Sequence, residues 1–103
     1  MDFEWDVPKN KANLLKHGIA FEDVTSLFEE GAPLLIDYDD REEYGEDRWI
    51  GIGALRHHVV VVVFTEPGPN TVRLISARRA NRDERTKYFS TFENRLGTSG
   101  SHD

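Results

Sequence analysis

The sequence contains no cysteine, which excludes both the disulfides of small secreted scaffolds and a thiolate metal site. No apolar stretch approaches the roughly 20 residues that a membrane-spanning helix needs. Residues 1–5 lack the basic and apolar regions of a secretory signal peptide. These absences predict a cytoplasmic protein that does not bind a membrane.

Positive charge is also scarce, because 13 lysine and arginine residues face 19 acidic ones, giving a net charge of -6. Residues 37–47 alone contain seven acids and one arginine. A calcium-binding EF-hand loop needs Gly at its sixth position and a carboxylate at its twelfth, but counting from Asp37 these are Glu42 and Arg48. We therefore expect a solvated loop there. Residues 48–96 hold nine basic and four acidic residues, so this half can bind a polyanion.

The hydrophobic pattern predicts the element order β-α-α-β-β-β-β-α. Helices are expected at about 8–17, at 21–29 and after residue 81; strands are expected at the N-terminus and at about 34–36, 48–54, 58–65 and 71–77. The β-branched run 59–63 is typical of a central strand that is buried on both faces. Short connections favour antiparallel pairing of the last strands. The prediction is one α+β domain at residues 1–96 with a flexible tail at 97–103.

The stretch 75–88 reads as a strand end followed directly by a helix. Asn81 is the predicted N-cap, and Glu84 follows three residues later, which is the spacing of a capping box. Tyr88 comes one turn after Glu84, on the same helix face. The stretch carries five cations: Arg78, Arg79, Arg82, Arg85 and Lys87. Such a cluster suits a phosphate, although a solvated helix start beside a strand explains the same residues.

Three segments resemble the signatures of the BrnT family of bacterial toxins. The first comprises Phe3-Glu4-Trp5-Asp6, Lys9, Asn13, Lys16-His17-Gly18 and Phe21-Glu22. The second is the stretch from Glu46 to Gly53, which is similar to a central strand with an E-x-R motif. The third comprises the stretch from Ile75 to Ala80 with Glu84, Arg85 and Tyr88. Together they extend over about residues 3–90, nearly the whole predicted domain.

This resemblance implies a RelE-like fold and the toxin half of a type II toxin–antitoxin pair. It implies an endoribonuclease that inhibits translation and arrests growth. It also implies a BrnA-type antitoxin partner, through which alone the complex would bind operator DNA. No metal and no cofactor is expected.

Metal-free RNA cleavage needs a base for the ribose 2′-hydroxyl, an acid for the leaving oxygen and cations at the phosphate. His17 is a candidate base or acid because histidine titrates near neutrality. Glu84 is the alternative base, and Tyr88 or Lys16 an alternative acid. The candidate phosphate ligands are Arg48, Arg78 and Arg79, since a guanidinium fork binds phosphate in a bidentate manner. The candidates for further RNA contacts are Lys9, Arg82 and Arg85.

Several of these residues have plainer interpretations. Arg48 can instead pair with the acidic loop, Tyr88 can belong to the core, and His57 and His58 are expected to have structural or surface roles. At the level of the whole protein, one alternative is a non-catalytic module that binds nucleic acid or protein as a transcriptional co-repressor. Another is a scaffold whose sheet edge pairs with a peptide. A binding module would show graded, salt-dependent losses of affinity rather than large losses of activity.

Overall fold

The chain is seen in a computed structural model that describes residues 1–100, with side chains for residues 1–92. The strands are β1 (Asp2–Glu4), β2 (Leu34–Tyr38), β3 (Trp49–Leu55), β4 (His58–Gly68) and β5 (Thr71–Arg79). The helices are α1 (Val7–His17), α2 (Phe21–Val24) and α3 (Arg82–Gly100), and a 3-10 turn, Thr25–Phe28, follows α2. The predicted element order is confirmed. Helix α3 includes the first residues of the predicted tail, and residues 101–103 lie outside the described part.

One five-stranded sheet in the order β1-β5-β4-β3-β2 forms the centre of the fold, with β4 in the middle as expected. Strands β2 to β5 pair antiparallel. Strand β1 instead runs parallel to the first residues of β5, where Asp2 pairs with Thr71 and Glu4 with Arg73. The sheet is therefore mixed rather than wholly antiparallel, because the long connection between β1 and β5 permits parallel pairing.

Helices cover both faces of the sheet, and the valine run of β4 supplies side chains to each. Val60 and Val62 pack in a core that includes residues of α2 and the 3-10 turn, among them Phe21 and Leu27. Val59 and Val61 pack on the other face beneath α3. Burial on both faces explains why the run shows no polar alternation. Among the described residues, no helix is long and apolar enough to cross a membrane.

Local geometry departs from the predicted boundaries at two turns and one helix. The second helix changes to a 3-10 turn after Val24. Strand β4 continues past Pro67 to Gly68, beyond the predicted end, because a register shift there removes the need for a ladder hydrogen bond from proline. The β3–β4 turn is centred on Arg56 and His57, one residue later than expected, with Arg56 at a φ of 56°.

The glycine of β3 nearest to the 3-10 turn makes room for core side chains rather than for a ligand. A Cβ atom on Gly53 would lie 3.0 Å from a methyl carbon of Leu27 and 3.2 Å from one of Leu34. Both approaches are close enough that a larger residue would force those side chains to shift. Gly53 therefore allows β3 to pack tightly beneath the 3-10 turn.

Helix α1 is held between a side-chain cap and a left-handed glycine. The carboxylate of Asp6 accepts a hydrogen bond of 3.0 Å from the backbone N–H of Lys9, which satisfies a free donor of the first turn. Gly18, at a φ of 73°, donates its N–H to the carbonyl of Leu14 and ends the helix. The predicted start and stop signals of α1 are confirmed.

The buried amide of Asn13 joins α1 to the C-terminal part of β5, beyond the residues that pair with β1. Its Nδ2 donates to the carbonyl oxygens of Ala77 at 2.8 Å and Ile19 at 2.9 Å, while its Oδ1 accepts from the N–H of Ala77 at 3.1 Å. The side chain thus pairs with β5 as a neighbouring strand would. Burying these groups without partners would be costly, so Asn13 is a structural requirement of the fold.

We predict that Asn13→Ala destabilises the protein by about 3 kcal/mol, because it leaves the buried polar groups of Ala77 and Ile19 unpaired. Urea unfolding monitored by circular dichroism measures the change. Lys11→Ala is the matched control, since Lys11 is exposed on the same helix and alanine is a good helix former. An Asn13→Ala protein that unfolds at the same urea concentration as Lys11→Ala would contradict this structural role.

Candidate functional site

The end of β5 presents its two arginines to opposite faces of the sheet. Arg78 pairs with Val61, which lies in the core beneath α3, and Arg79 pairs with Val60, which lies in the core beneath α2. Side chains of successive strand residues alternate between the faces. The expectation that Arg78 and Arg79 share one phosphate site therefore needs correction, because the strand directs their side chains apart.

Arg78 is engaged by Glu84 in a bidentate ion pair. Its two terminal guanidinium nitrogens donate to the two carboxylate oxygens of Glu84, each at 2.8 Å. Glu84 also completes the predicted capping box, accepting from the N–H of Asn81 while its own N–H donates to the Asn81 side chain, again at 2.8 Å. The hydrogen bonds from Arg78 hold the pKa of Glu84 below its usual value. Glu84 is thus an ionised carboxylate whose oxygens already have donors.

Arg79 has an open environment at the end of α1. With Gly18, Ile19 and the β3–β4 turn, including His57, it lines a cavity of about 250 Å³. Within residues 1–92, its guanidinium makes no hydrogen bond or ion pair. Lys16 and His17 immediately precede Gly18 and so come to the same end of the molecule. Arg79, rather than Arg78, is the arginine that meets the end of α1.

The cations of the described region divide into paired and unpaired groups. Five are held within 3.2 Å of a carboxylate: Arg41, Arg48, Arg73, Arg78 and Lys87. Arg56 makes a longer contact of 3.7 Å with Asp23. Four of those without a carboxylate partner lie at or beside the end where β5 meets α3 and α1 ends: Lys16, Arg79, Arg82 and Arg85. Charge available to an anion is concentrated at this end of the sheet, which we call the basic end.

Arg48 is not part of the basic end. Arg48 precedes Trp49, which pairs with Phe64 in the second half of β4. Arg79 instead pairs with Val60, near the start of β4. The Arg48 guanidinium lies 4.1 Å from the ring centre of Tyr44 and donates to Glu46 at 3.2 Å. The structure therefore does not bring Arg48 to Arg78 and Arg79 as one phosphate clamp; it pairs with the acidic segment instead.

Tyr88 is a core residue in this structure. Its ring is buried beside Phe92, and its hydroxyl donates to the carbonyl of Pro33 at 2.9 Å. Burial raises its pKa above the usual value of a phenol. The hydroxyl therefore holds α3 against the start of β2, and the structure does not expose it beside the basic end as an acid would require.

The three residues that were predicted to contact RNA lie at two different locations. Arg82 begins α3, and Arg85 lies one turn later, where it donates to the carbonyl of Ala80 at 3.5 Å. Both are exposed at the basic end. Lys9 lies in the first turn of α1, away from the end of the helix that carries His17.

Comparisons with known proteins agree with this architecture. Residues 5–84 match the model of a family described as BrnT, the ribonuclease toxin of a type II toxin–antitoxin system. The chain belongs to the BrnT family. The crystal structure of the ribonuclease toxin BrnT from Brucella abortus is similar, with a TM-score of 0.61 and 29% sequence identity over 80% of this chain and 99% of that chain. A comparison with curated protein sequences finds no match.

Membership in the BrnT family makes this chain a ribonuclease toxin of a toxin–antitoxin system, with an antitoxin as its partner. The α+β fold, with its sheet packed against helices, matches that of the Brucella abortus structure. The matched range ends at Glu84, so it includes both arginines at the end of β5 and all of the cations of the basic end except Arg85.

One interaction of this BrnT-family chain was not foreseen from the sequence. Asp39 is fully buried at the start of the acidic segment, and both its oxygens accept from Arg41, at 2.7 and 2.8 Å. The segment that looked like a solvated loop therefore contains a buried carboxylate that is paired with the segment's one arginine. No group of three or more metal-binding side chains occurs among the described residues.

The hydrogen bonds from Arg41 hold the pKa of Asp39 at about 2, below its ordinary value of 3.8. A carboxyl whose pKa is lowered by folding contributes stability above its unfolded pKa, and this contribution is lost as the pH falls through the folded value. We predict that Asp39→Asn is less stable than the parent at pH 7 and that the difference shrinks between pH 4 and pH 2.

Urea unfolding at several pH values measures the Asp39 effect. Asp40→Asn is the matched control, because Asp40 is exposed in the same segment and its neutralisation should leave the pH dependence of the parent unchanged. A stability difference between Asp39→Asn and the parent that stays constant down to pH 2 would show that the Asp39–Arg41 pair does not act through the charge of the carboxylate.

Proposed function

We propose that this toxin is a metal-independent endoribonuclease that cleaves RNA through attack of the ribose 2′-hydroxyl on the adjacent phosphate and thereby inhibits translation. We also propose that residues 1–96 form a single toxin domain. The family supports the ribonuclease activity. The absence of a cofactor in this mechanism is our proposal, and it requires that side chains alone supply the base, the acid and the phosphate charge.

The observation that carries the proposal is the guanidinium of Arg79 at the end of β5, which has no hydrogen-bond or ion-pair partner among residues 1–92. The cavity beside it is bounded by Gly18, at the end of α1, and by the β3–β4 turn. A cation that is fixed before the reaction stabilises developing phosphorane charge without reorganisation. Arg79 is therefore our candidate for the ligand of the scissile phosphate. Arg78 lies on the other face of the strand, where Glu84 neutralises its charge.

Lys16 and His17 are our candidates for proton transfer at this phosphate. Asn13 fixes α1 against Ala77, one turn before these residues, so the end of the helix is positioned relative to Arg79. His17 suits the base or the acid because imidazole exchanges protons near neutral pH. Glu84 is the weaker candidate base, since Arg78 and Asn81 already occupy its oxygens.

The partner that we propose is a BrnA-type antitoxin that covers the basic end with an acidic or amphipathic segment. Covering Arg79 would block RNA and neutralise the unpaired cations in one step. Binding to operator DNA would come from the antitoxin. We propose that both proteins act in the cytoplasm.

We predict that Arg79→Gln lowers the rate of RNA cleavage by on the order of 10²–10³, because it removes a preorganised charge contact. Arg79→Lys should recover only part of this loss, since an ammonium lacks the planar fork. Arg73→Gln is the matched control: Arg73 is exposed on the same strand, near its other end, where it pairs with Glu4. Cleavage of a labelled RNA by purified protein measures the rates.

The fold must be shown to survive these changes. Equal melting temperatures for Arg79→Gln and Arg73→Gln would establish this, while Val61→Asp, which places a charge in the core beneath α3, serves as an unfolded reference. An Arg79→Gln protein that cleaves at the parental rate would contradict the assignment. A graded, salt-dependent loss of RNA affinity, with no cleavage by the parent, would instead support a non-catalytic binding module.

We predict that expression of this chain alone arrests bacterial growth and that co-expression of its antitoxin restores it. Growth curves and incorporation of labelled amino acids measure the arrest. The Arg79→Gln chain is the control, since it should accumulate without slowing growth. If folded parental protein accumulates while growth and translation continue unchanged, the proposal of an active toxin fails.

A further inference from the structure

A second, smaller cavity lies on the α3 side of the basic end. It has a volume of about 170 Å³ and is bounded by the β3–β4 hairpin, the end of β5 and the first turns of α3. The hydrogen bond of 2.9 Å from the N–H of Ala80 to the carbonyl of Val59 holds these elements together. The walls of the cavity are therefore parts of the sheet framework rather than a loop.

An exposed aromatic ring forms one wall of this cavity. Phe89 is 48% exposed, although the neighbouring Tyr88 is buried in the core. The two rings meet edge to face with their centres 5.5 Å apart, which fixes the position of Phe89 while leaving much of its surface open. Phe89 instead borders the cavity beside the hairpin residues His57 and His58.

The remaining polar side chains around the cavity belong to basic residues. Arg85 lies one helical turn before Phe89 and so on the same face of α3. His57 and His58 of the hairpin lie opposite, and Arg79 borders both this cavity and the larger one beneath α1. Among the residues whose side chains the structure describes, no acidic one lines this cavity. In a chain of net charge -6, this cavity places an aromatic ring beside basic side chains that have no carboxylate partner among the described residues.

We propose that this cavity binds a single-stranded RNA nucleotide next to the scissile phosphate, with its base stacked on Phe89 and its phosphate held by Arg85 and the hairpin histidines. Bases of unpaired RNA are commonly recognised by stacking on aromatic side chains beside a basic surface. Because Arg79 borders both cavities, the subsite would lie beside the candidate site of the scissile phosphate. The inference rests on the proposed ribonuclease function and adds a substrate subsite to it.

Binding of the isolated nucleotide is tested first, in the absence of any cleavage. The four ribonucleoside 5′-monophosphates are titrated into the protein and followed by NMR. We expect them to shift the ring signals of Phe89 and the imidazole signals of His57 and His58, whereas inorganic phosphate should shift the imidazole signals alone. Mononucleotides that leave Phe89 unmoved would overturn the stacking subsite.

Affinity is tested second with a 2′-O-methyl oligonucleotide, which lacks the attacking hydroxyl. Phe89→Ala should weaken binding about tenfold and Phe89→Tyr should retain it, because stacking needs only an aromatic face. Arg85→Gln should reduce the slope of log affinity against log salt by about 0.7, the value for one phosphate contact on a single strand. Arg73→Gln is the matched control at the other end of the sheet, and thermal melting checks the fold of each variant.

The outcomes separate this inference from the proposed function. RNA cleavage by the parent, with parental oligonucleotide affinity in Phe89→Ala, would overturn the subsite and leave the ribonuclease proposal standing. Mononucleotide shifts at Phe89 without RNA cleavage would support the subsite and count against the ribonuclease. A Phe89→Ala variant that loses antitoxin affinity but binds nucleotides normally would show that the cavity is a protein-docking surface instead.

Discussion

The pairing of the Asn13 amide with Ala77 is the contact on which the arrangement of the basic end depends. Strand β1 covers only the first residues of β5, so the later part of that edge would otherwise have no strand beside it. The amide supplies a donor and an acceptor in place of a peptide group, and it also binds Ile19 after the helix. The Asn13 side chain thus holds the C-terminal part of α1 against β5, which also positions Lys16 and His17.

The alternation of side chains between the two faces of β5 then determines which arginine is available to a ligand. Arg78 points toward α3, where the capping residue Glu84 takes up its guanidinium. Arg79, one residue later, points toward α1; it borders the same cavity as Asp23 but forms no ion pair with a carboxylate among the described residues. The junction between β5 and α3 therefore gives rise both to the Glu84 cap of the helix and to the available charge of Arg79. The same alternation explains why two adjacent arginines that look equivalent in sequence are expected to differ in function.

The fold was largely predictable because its signals are local. Asp6 and Gly18 delimit α1 through hydrogen bonds within one turn of the chain, and the valine run of β4 requires burial on both faces. The parallel pairing of β1 and the inward turn of Asp39 were not predictable, since each depends on residues distant in sequence or on the path of a loop. The grouping of the candidate site residues was predicted least well. Arg48 and Arg79 lie near different ends of the sheet, and only the pairing register of the strands shows this separation.

Sheet register also explains how an acidic chain can present a surface for RNA. The acidic segment begins and ends beside Tyr38 and Trp49, which pair near the far end of the sheet. Arg79 pairs with Val60, four residues from the Phe64 partner of Trp49, a separation of roughly 13 Å along the strand. This exceeds the screening length of about 8 Å at physiological salt, so exposed charges beside Trp49 are largely screened from Arg79, while Asp37 and Asp39 of the segment are paired with Lys87 and Arg41. Because local charge rather than net charge governs the approach of a phosphate, the value of -6 does not oppose binding at Arg79.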